Sequence, residues 1–435
     1  MTRKVFEKII TWDNEYAGRP LVLTGAPGIG KTYLAQELAK NFHNSYLYIN
    51  PKNDHKLRTA LYELFEQSNP DFEQFLQTFY QIPIEWLHEF LIILDDFDWY
   101  SELHSLLDKI TKNVYQFRLL IICTLCPNDR LKEQCDVIKI LPLEFDEYLK
   151  AIGSEWYTEI ILAHFETKKK IPEIVHKEML NLFRDYLRIG GMPSAINEYM
   201  LTDSLNNLST IHRNLYELFL SEFKRYNESS NIRLNQLLQH VPEQLIKCNK
   251  NYRFNLIRKG ATHTMYRNEL STLSDLHIIN KIDRADFIVA DKNTIKSDMH
   301  DNQFRLYLND CGILYSLIMA SSSAFIDGAE EESSDISELA LYQLLAENYL
   351  LSTLKSRNHN VAFWESGSLA KIDFLSIFDN SIMPIEVKYL ENKKSKSLHV
   401  FKQKYPVVTN IKFGTQNFSA DEHGYNCPIY SLFCL

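Results

Sequence analysis

The chain has 435 residues, of which 45% are hydrophobic and 24% are charged. These proportions are typical of globular proteins, so they exclude collagen-like structure and bulk disorder. The formal net charge of −9 excludes a chain that binds nucleic acid through an overall positive charge, although local basic stretches can still attract phosphate. The length predicts two or three domains, because one domain usually has roughly 100–200 residues.

The N-terminal segment predicts an amphipathic helix over residues 1–16. It carries charges where a secretion signal would be apolar. The sequence also has no run of the roughly 18 consecutive apolar residues that a membrane span needs. We therefore expect a cytoplasmic protein without a membrane partner.

Strands and helices alternate in the first part of the chain. Short apolar runs predict strands at 21–24, 45–50, 90–94, 118–124 and 137–141. Helical patterns fall between them, at 33–42, at 54–80 with an interruption at Asn69-Pro70, and at 101–112. Such alternation predicts an α/β fold with a parallel sheet covered by helices on both faces.

The remainder of the chain is more mixed. Residues 144–200 are helix-rich, and the polar segment 202–210 predicts a domain boundary. Residues 211–285 predict several helices and a short β pair, in which 278–282 resembles the strand that opens the wing of a winged helix. The acidic segment 328–335 predicts a loop. A helix at 336–356 and strands at 361–365, 371–378, 382–388 and 407–414 follow.

A phosphate-binding loop lies between the first strand and the next helix. Residues 25–32 fit G-x-x-x-x-G-K-[ST] in the strand–helix context that this motif requires. Glycines let successive N–H groups point at phosphate oxygens, and the helix N-terminus attracts negative charge. The predicted ATP contacts are Gly25, Ala26, Pro27, Gly28, Ile29, Gly30, Lys31, Thr32 and Tyr33. In this arrangement Lys31 bridges the β and γ phosphates and the Thr32 hydroxyl ligates Mg²⁺.

The acids for hydrolysis follow the strand at 90–94. Asp95 is predicted to hold Mg²⁺ through water, and Asp96 to orient or deprotonate the attacking water. Asp98 is a spare carboxylate. The alternative for these acids is a solvent-exposed strand end. Thr124 ends the next strand, where a polar residue can sense the γ-phosphate, although threonine is common at strand ends.

A second candidate site lies near the C-terminus. Asp373, followed after residues 374–385 by Glu386 and Lys388, has the D…(D/E)-x-K spacing of restriction-type nucleases. Glu386 and Lys388 project from one face of a strand, so Asp373 and Glu386 could share Mg²⁺ while Lys388 positions water. Glu347 on the preceding helix is an additional acid. The alternative is an ordinary cross-strand ion pair.

A basic stretch in the middle of the chain is a candidate DNA contact. Residues 245–267 contain no carboxylate and interleave cations with Tyr252, Phe254 and Tyr266. On a winged helix such cations could dock on DNA phosphates. The alternative is that the aromatics fill a small core and the cations are solvated. A second basic stretch runs from Lys388 to Lys404.

Several short segments, in this order and spacing, resemble one family of prokaryotic proteins. They are the phosphate loop, Leu141–Tyr148, Gly190–Pro193 with Tyr199, Val241–Leu245, Phe304–Gly312 and Pro384–Lys388. The chain resembles AAA-type ATPases that carry a C-terminal restriction-endonuclease-like domain of unassigned function. Asp96 stands where many relatives have glutamate. The Gly-Arg pair usual before the Pro-Leu segment is missing, which argues against a trans-acting arginine finger, and Arg118 and Arg130 are the nearest candidates for such a residue.

The resemblance implies three domains. These are a P-loop parallel-sheet ATPase domain with a helical lid at 1–200, a winged-helix-like domain at 205–327 and an α/β restriction-endonuclease-like domain at 330–435. It also implies that Pro193 lies on the adenine side of the nucleotide. The first functional hypothesis is an ATP-hydrolysing switch that couples its nucleotide state to a DNA-binding region with a candidate nuclease site. The alternative is a nucleotide-gated module with an inactive pseudonuclease domain, which acts on a protein partner or as a homo-oligomer.

Overall fold

The computed structural model describes residues 3–125, 127–246, 250–289, 294–297, 303–324, 337–366, 370–378, 381–389, 396–405, 409–421 and 424–435. The chain divides into two units. The first comprises Met1–Leu141, Ser221–Asn227 and Asp275–His277, and the second comprises Pro142–Leu220, Glu228–Ser274 and Ile278–Leu435. The predicted acidic loop at 328–335 lies outside the described residues, as do Lys247, Lys393 and Lys394 of the basic stretches.

The first unit is built on a parallel sheet. Its strands within the described residues are β1 (Leu21–Thr24), β2 (Ser45–Ile49), β3 (Phe90–Asp95), β4 (Arg118–Cys123) and β5 (Asp136–Lys139), in the order β2-β3-β4-β1-β5. Their bounds agree with the predicted strands to within two residues. β1 is buried along its whole length, as expected for a strand covered on both faces. The carboxyl ends of β1 and its neighbour β4 lie side by side, because Thr24 pairs with Cys123.

Helices surround this sheet. They are α1 (Lys4–Asn14), α2 (Lys31–Phe42), α3 (His55–Phe65), α4 (Phe72–Tyr80), α5 (Ser101–Ile110) and α6 (Asp129–Gln134). The predicted interruption at Asn69-Pro70 is confirmed, since it separates α3 from α4. Both of these helices begin at an aspartate cap: Asp54 accepts from the Leu57 N–H and Asp71 from the Gln74 N–H.

The second unit contains the remaining helices. Those in the described residues are α7 (Phe145–Ala151), α8 (Trp156–Thr167), α9 (Glu173–Ile189), α10 (Pro193–Thr202), α11 (Leu208–Phe223, whose last turn belongs to the first unit), α12 (Glu228–Ile246), α13 (His263–Asp275), α14 (Cys311–Ala324), α15 (Glu338–Ser356) and α16 (Lys396–Lys404). The predicted domain at 1–200 is therefore not one compact unit. Residues 142–200 pack with the C-terminal half, where Phe183 and Tyr186 of α9 meet Tyr349 of α15 at ring-centroid distances of 5.7 and 5.2 Å.

A mixed sheet forms the centre of the second unit. Its described strands are β6 (Ile279–Val289), β7 (Thr294–Ser297), β8 (Phe304–Leu308), β9 (Ala362–Ser366), β10 (Ala370–Phe378), β11 (Ser381–Lys388), β12 (Ile411–Gly414), β13 (Ser419–Asp421) and β14 (Gly424–Pro428). Their order is β13-β14-β12-β11-β10-β9-β6-β7, with β8 also paired to β6. The predicted boundary at 327–330 is not a structural division, because β6 pairs in parallel with β9 and so joins strands from both predicted domains.

The Asp310 carboxylate connects two of the segments on which the family resemblance is based. Asp310 accepts the Gly191 N–H at 2.7 Å and the Ile313 N–H at 2.9 Å. A Cβ atom on Gly312 would lie 2.3 Å from the Ile189 carbonyl oxygen, so only glycine fits there. The Gly190–Pro193 turn and the residues that open α14 thus form one packed cluster.

Among the described residues, none of the helices combines the length and apolar composition that crossing a bilayer would require.

Candidate nucleotide site

The predicted phosphate loop connects β1 to α2. Gly30 adopts φ 93° where α2 begins, and Gly28 adopts φ 76°, so both occupy the left-handed region that glycine tolerates. A Cβ atom on Gly25 would lie 2.3 Å from the Ile140 carbonyl oxygen. These glycines allow the backbone to turn tightly between β1 and α2. The N-terminal N–H groups of α2 therefore lie at the carboxyl edge of the sheet.

Lys31 lies in the interior of the loop, with 8% of its surface exposed. Its ammonium donates hydrogen bonds to the carbonyl oxygens of Gly25 at 2.7 Å and Ala26 at 3.1 Å. Burial lowers the pKa of Lys31, while the carboxylates of Asp98 and Asp95 oppose that shift. The predicted phosphate-binding lysine is therefore held by the loop itself, beside a cluster of acids.

Thr32 and Asp95 are brought together as the sequence predicts. The Thr32 hydroxyl donates to Asp95 Oδ2 at 2.8 Å, and the Tyr48 hydroxyl donates to the same oxygen at 2.6 Å. Burial raises the pKa of Asp95, whereas the bonds from Tyr48 and Thr32 lower it. A threonine hydroxyl beside a buried carboxylate supplies the oxygen ligands that Mg²⁺ prefers, so these residues fit a magnesium ion.

Asp96 and Asp98 have different surroundings. Asp96 adopts φ 57° and accepts a hydrogen bond from Asn50 Nδ2 at 3.0 Å. Asp98 accepts the backbone N–H groups of Thr124 and Leu125, both at 2.9 Å. Asp98 therefore fixes the segment after β4 and is not the spare carboxylate that the sequence suggested. The water-orienting role of Asp96 and the γ-phosphate-sensing role of Thr124 stay predictions.

Arg225 is a residue of this unit that the sequence did not indicate. Its Nη1 lies 3.3 Å from Asp98 Oδ2, its Nη2 lies 2.5 Å from Glu222, and its guanidinium stacks 4.5 Å from the centre of the Trp99 ring. The side chain is only 5% exposed. The pairing of Arg225 with Asp98, 127 residues earlier in the chain, leaves no local pattern, so no signal in a single sequence could have found it.

His277 is a second residue that the sequence did not indicate. Its Nε2 lies 3.0 Å from the hydroxyl of Thr24, the last residue of β1. The Thr24 hydroxyl donates its proton to the Leu125 carbonyl oxygen at 3.0 Å, so His277 Nε2 is the donor in the other bond. Burial lowers the pKa of His277 to about 3, and the positive charges of Lys139 and Lys31 add to the shift. The imidazole is therefore neutral beside the phosphate loop.

The other predicted nucleotide contacts are less constrained. Tyr33 is 53% exposed on the first turn of α2. Pro193 is the first residue of α10 in the second unit, and its contact with adenine stays a prediction. Arg118, one arginine-finger candidate, pairs with Asp13 at 2.8 Å, which gives it a structural role within the first unit. Arg130, the other, is exposed on α6.

The predicted nuclease residues lie on adjacent strands. β10 and β11 are antiparallel with Phe374 opposite Ile385, which makes Asp373 and Glu386 neighbours across the strands. However, no group of three or more histidine, cysteine, aspartate or glutamate residues in the described chain is placed to hold a metal ion. Asp373 instead lies 3.8 Å from the Lys250 ammonium and 3.4 Å from the Arg305 guanidinium. The residues present do not fit a divalent cation at this position.

The aromatic residues of the central basic stretch belong to a core. Phe254 contacts the rings of Tyr252, Tyr266 and Phe304 at centroid distances of 5.4, 5.6 and 5.8 Å. The described cations of this stretch other than Lys250 are exposed: Arg253, Arg258, Lys259 and Arg267. The structure therefore agrees with the alternative for the aromatics, while DNA binding by the cations stays a prediction.

Three family models match successive parts of the chain. Residues 17–149 match an AAA domain, residues 180–324 match a domain of unknown function (DUF8612), and residues 343–432 match another (DUF4143). Among curated proteins, no sequence relative matches the chain. The restriction-endonuclease-like identity of the C-terminal domain therefore has no support from the family models.

The solved structures that match the chain are distant. The Walker-type ATPase PABY2304 of Pyrococcus abyssi is 13% identical, with a TM-score of 0.43, over 72% of this chain and 94% of that chain. PCH-2 of C. elegans is 18% identical, with a TM-score of 0.27, over 50% and 64%. A STAND (signal transduction ATPase with numerous domains) protein with a tetratricopeptide repeat sensor, PH0952 of Pyrococcus horikoshii, is 16% identical, with a TM-score of 0.26, over 81% and 47%. TM-scores this low do not define a shared fold over the whole chain. Residues 17–149, which contain the phosphate loop, are therefore similar to an AAA domain.

Proposed function

We propose that the chain is a magnesium-dependent ATPase that works as a nucleotide-controlled switch. The observation that carries this proposal is the loop from Gly25 to Thr32, with Lys31 in its interior and the Thr32 hydroxyl on Asp95. The loop lies at the carboxyl end of a central parallel strand, where ligands of open α/β sheets bind.

The residues of the loop have separate roles in binding. Backbone N–H groups from Gly28 to Thr32 surround the phosphates, and the Lys31 ammonium exchanges its two carbonyl bonds for phosphate oxygens. Thr32 and Asp95 would hold the magnesium ion, Asp95 through water. When bound, this ion would supply positive charge that stabilises the negative charge developing on the phosphate oxygens as ADP leaves.

Asp96 is the residue we assign to the attacking water. Asn50 orients its carboxylate through the 3.0 Å bond, and Lys52 lies 3.9 Å away. A carboxylate with one oxygen fixed in this way can accept a proton from water or align it. Because aspartate is one methylene shorter than glutamate, we expect slow turnover, which suits a switch that must persist in one state.

Arg225 and His277 offer a route from the nucleotide to the rest of the chain. The Arg225 guanidinium pairs with the Asp98 carboxylate, which also binds the Thr124 N–H. The His277 imidazole contacts Thr24, the residue that precedes the phosphate loop. Arg225 lies between α11 and α12 in sequence, and His277 lies between α13 and β6. A change at the phosphates that moves either residue therefore reaches the second unit through the chain itself.

The second unit is the effector of this switch. Its exposed cations, among them Arg253 and Arg258, support a DNA-facing role. The ion pairs of Lys250 and Arg305 with the predicted nuclease acids favour the alternative, in which a pseudonuclease domain binds a protein partner or a second copy of the chain.

Phosphate release from Mg-ATP by the full-length protein tests the nucleotide site. We expect Lys31→Ala to reduce the release to background and to remove most of the thermal stabilisation by ATP. The matched control is Lys40→Ala, because Lys40 is an exposed lysine on the same helix, and it should leave both unchanged. Turnover that is unaltered in Lys31→Ala would contradict the assignment.

A further inference from the structure

We propose that Lys250 and Arg305 supply the positive charge of the acidic cluster around Asp373, in the place where a nuclease would hold a divalent metal. The cluster comprises Glu347, Glu365, Asp373 and Glu386, all in the second unit. The acids of this cluster then hold the segment at Lys250 against α15 and β10 without a metal ion. This inference deepens the pseudonuclease alternative and is independent of ATP binding.

The Lys250 ammonium forms hydrogen bonds with both carboxylate oxygens of Glu347. Its nitrogen lies 2.7 Å from Oε1 and 2.6 Å from Oε2, and Gln343 Nε2 donates to Oε1 at 2.7 Å. The Glu347 side chain is 1% exposed. A carboxylate this deeply buried needs a cation, and the chain provides one.

Arg305 provides the second cation. Its side chain is 2% exposed, with Nη1 3.4 Å from Asp373 and Nη2 3.1 Å from Glu365. Nε donates to the Asn251 side chain at 3.4 Å, and the guanidinium stacks 4.1 Å from the centre of the Phe363 ring. Because an arginine in a protein does not lose its proton, this charge is permanent.

Asp373 has cationic partners without an added ion. Burial alone would raise the pKa of Asp373, but Lys250, Arg305 and Lys388 together hold the pKa below its ordinary value. Asp373 is therefore ionised and already paired. A divalent cation that bound here at a carboxylate oxygen, at about 2.1 Å, would have to displace the Lys250 ammonium and would be repelled by the remaining cations.

The backbone at Lys250 supports a fixed role for its side chain. Lys250 adopts φ 51°, a conformation that non-glycine residues keep only when their surroundings enforce it. The next turn of chain is anchored as well, because the Arg253 N–H donates to Gln244 Oε1 at 2.6 Å and Gln244 Nε2 donates to the Arg253 carbonyl oxygen at 3.2 Å.

Manganese binding by full-length protein without nucleotide tests the inference. Electron paramagnetic resonance counts bound Mn²⁺ in the wild type and in Asp373→Asn, and we expect the same count in both. Lys250→Met removes the ammonium but keeps the length of the side chain. We expect Lys250→Met to bind one more Mn²⁺ per chain than the wild type, and the double variant Lys250→Met/Asp373→Asn to lack this additional ion. Mn²⁺ should also raise the melting temperature of Lys250→Met but not that of the wild type.

Lys259→Met is the matched control, because Lys259 is an exposed lysine of the same basic stretch, and it should gain no manganese. Wild-type protein that binds Mn²⁺ or nicks plasmid DNA in an Asp373-dependent way would overturn the inference, as would a folded Lys250→Met protein without extra manganese. If Lys250→Met does not fold, the comparison of wild type with Asp373→Asn still decides. The Lys31→Ala variant should give the same manganese result, which separates this inference from the ATPase proposal.

Discussion

Nη1 of Arg225 lies 3.3 Å from Oδ2 of Asp98, although 127 residues separate them along the chain. The same carboxylate oxygen accepts the backbone N–H groups of Thr124 and Leu125. One aspartate therefore connects the ends of two sheet strands to a cation from a much later part of the sequence. Asp98 also contributes to the electrostatic environment of the Lys31 ammonium.

Arg225→Ala should destabilise the first unit and slow ATP hydrolysis. Removal of one partner leaves a buried carboxylate without its cation, which costs about 3 kcal/mol. Differential scanning calorimetry and phosphate release measure the two effects. Arg213→Ala is the control, because Arg213 is exposed on α11. A melting temperature equal to that of the wild type would show that the pair contributes nothing to stability.

Tyr48→Phe should move the acidic limb of the pH–rate profile to higher pH. The Tyr48 hydroxyl bonds Asp95 at 2.6 Å and thereby lowers the pKa that burial raises. Without this bond the pKa of Asp95 is higher, so the ionised form that holds magnesium disappears earlier as the pH falls. Steady-state hydrolysis between pH 5 and 8 measures the shift. Tyr46→Phe, at an exposed position on the same strand, should leave the profile in place.

His277→Gln should weaken the dependence of stability on pH in mildly acidic solution. The pKa of His277 is about 3 in the folded protein, below its ordinary value of 6.5, because burial disfavours the charged ring. Between these values the unfolded chain binds a proton that the folded chain does not, so stability is complete above pH 6.5 and falls as the pH decreases. By pH 5 this loss reaches about 2 kcal/mol, and the glutamine variant should avoid it.

Chemical denaturation at pH 7 and pH 5 measures that difference. His88→Gln is the control, since the His88 side chain is 54% exposed in the same unit. If the free energy of unfolding falls by the same amount in the wild type and in His277→Gln between the two pH values, the folded protein does not keep His277 neutral at pH 5.

The sequence predicts the first unit well because its signals are local. The apolar runs at Leu21–Thr24 and Phe90–Asp95 are long enough only for buried strands, and the left-handed conformations of the loop occur at Gly28 and Gly30, where glycine tolerates them. The contact between Thr32 and Asp95 also follows from local patterns, because the ends of parallel strands meet at one edge of the sheet.

The remaining features depend on distant partners. Nothing in the neighbourhood of Arg225 or His277 indicates that each would meet an aspartate or a threonine far back in the chain. Likewise, the alternation in β6 fits a small wing as well as a long strand, and only its pairing with β9 distinguishes them. The D…E-x-K spacing correctly placed Asp373 and Glu386 on neighbouring strands, but it could not reveal that Lys250 would contribute its charge there.

The first unit is assembled from three separated stretches of chain, the last of which ends at His277. During synthesis on the ribosome, the phosphate loop emerges long before the residues that complete its surroundings. A nascent chain of 200 residues would hold Asp98 without its Arg225 partner and Thr24 without its His277 partner, so the surroundings of the phosphate loop are completed only after roughly two thirds of the protein has been translated. An isolated N-terminal fragment that ends before Arg225 should consequently have an incomplete first unit and be prone to aggregate.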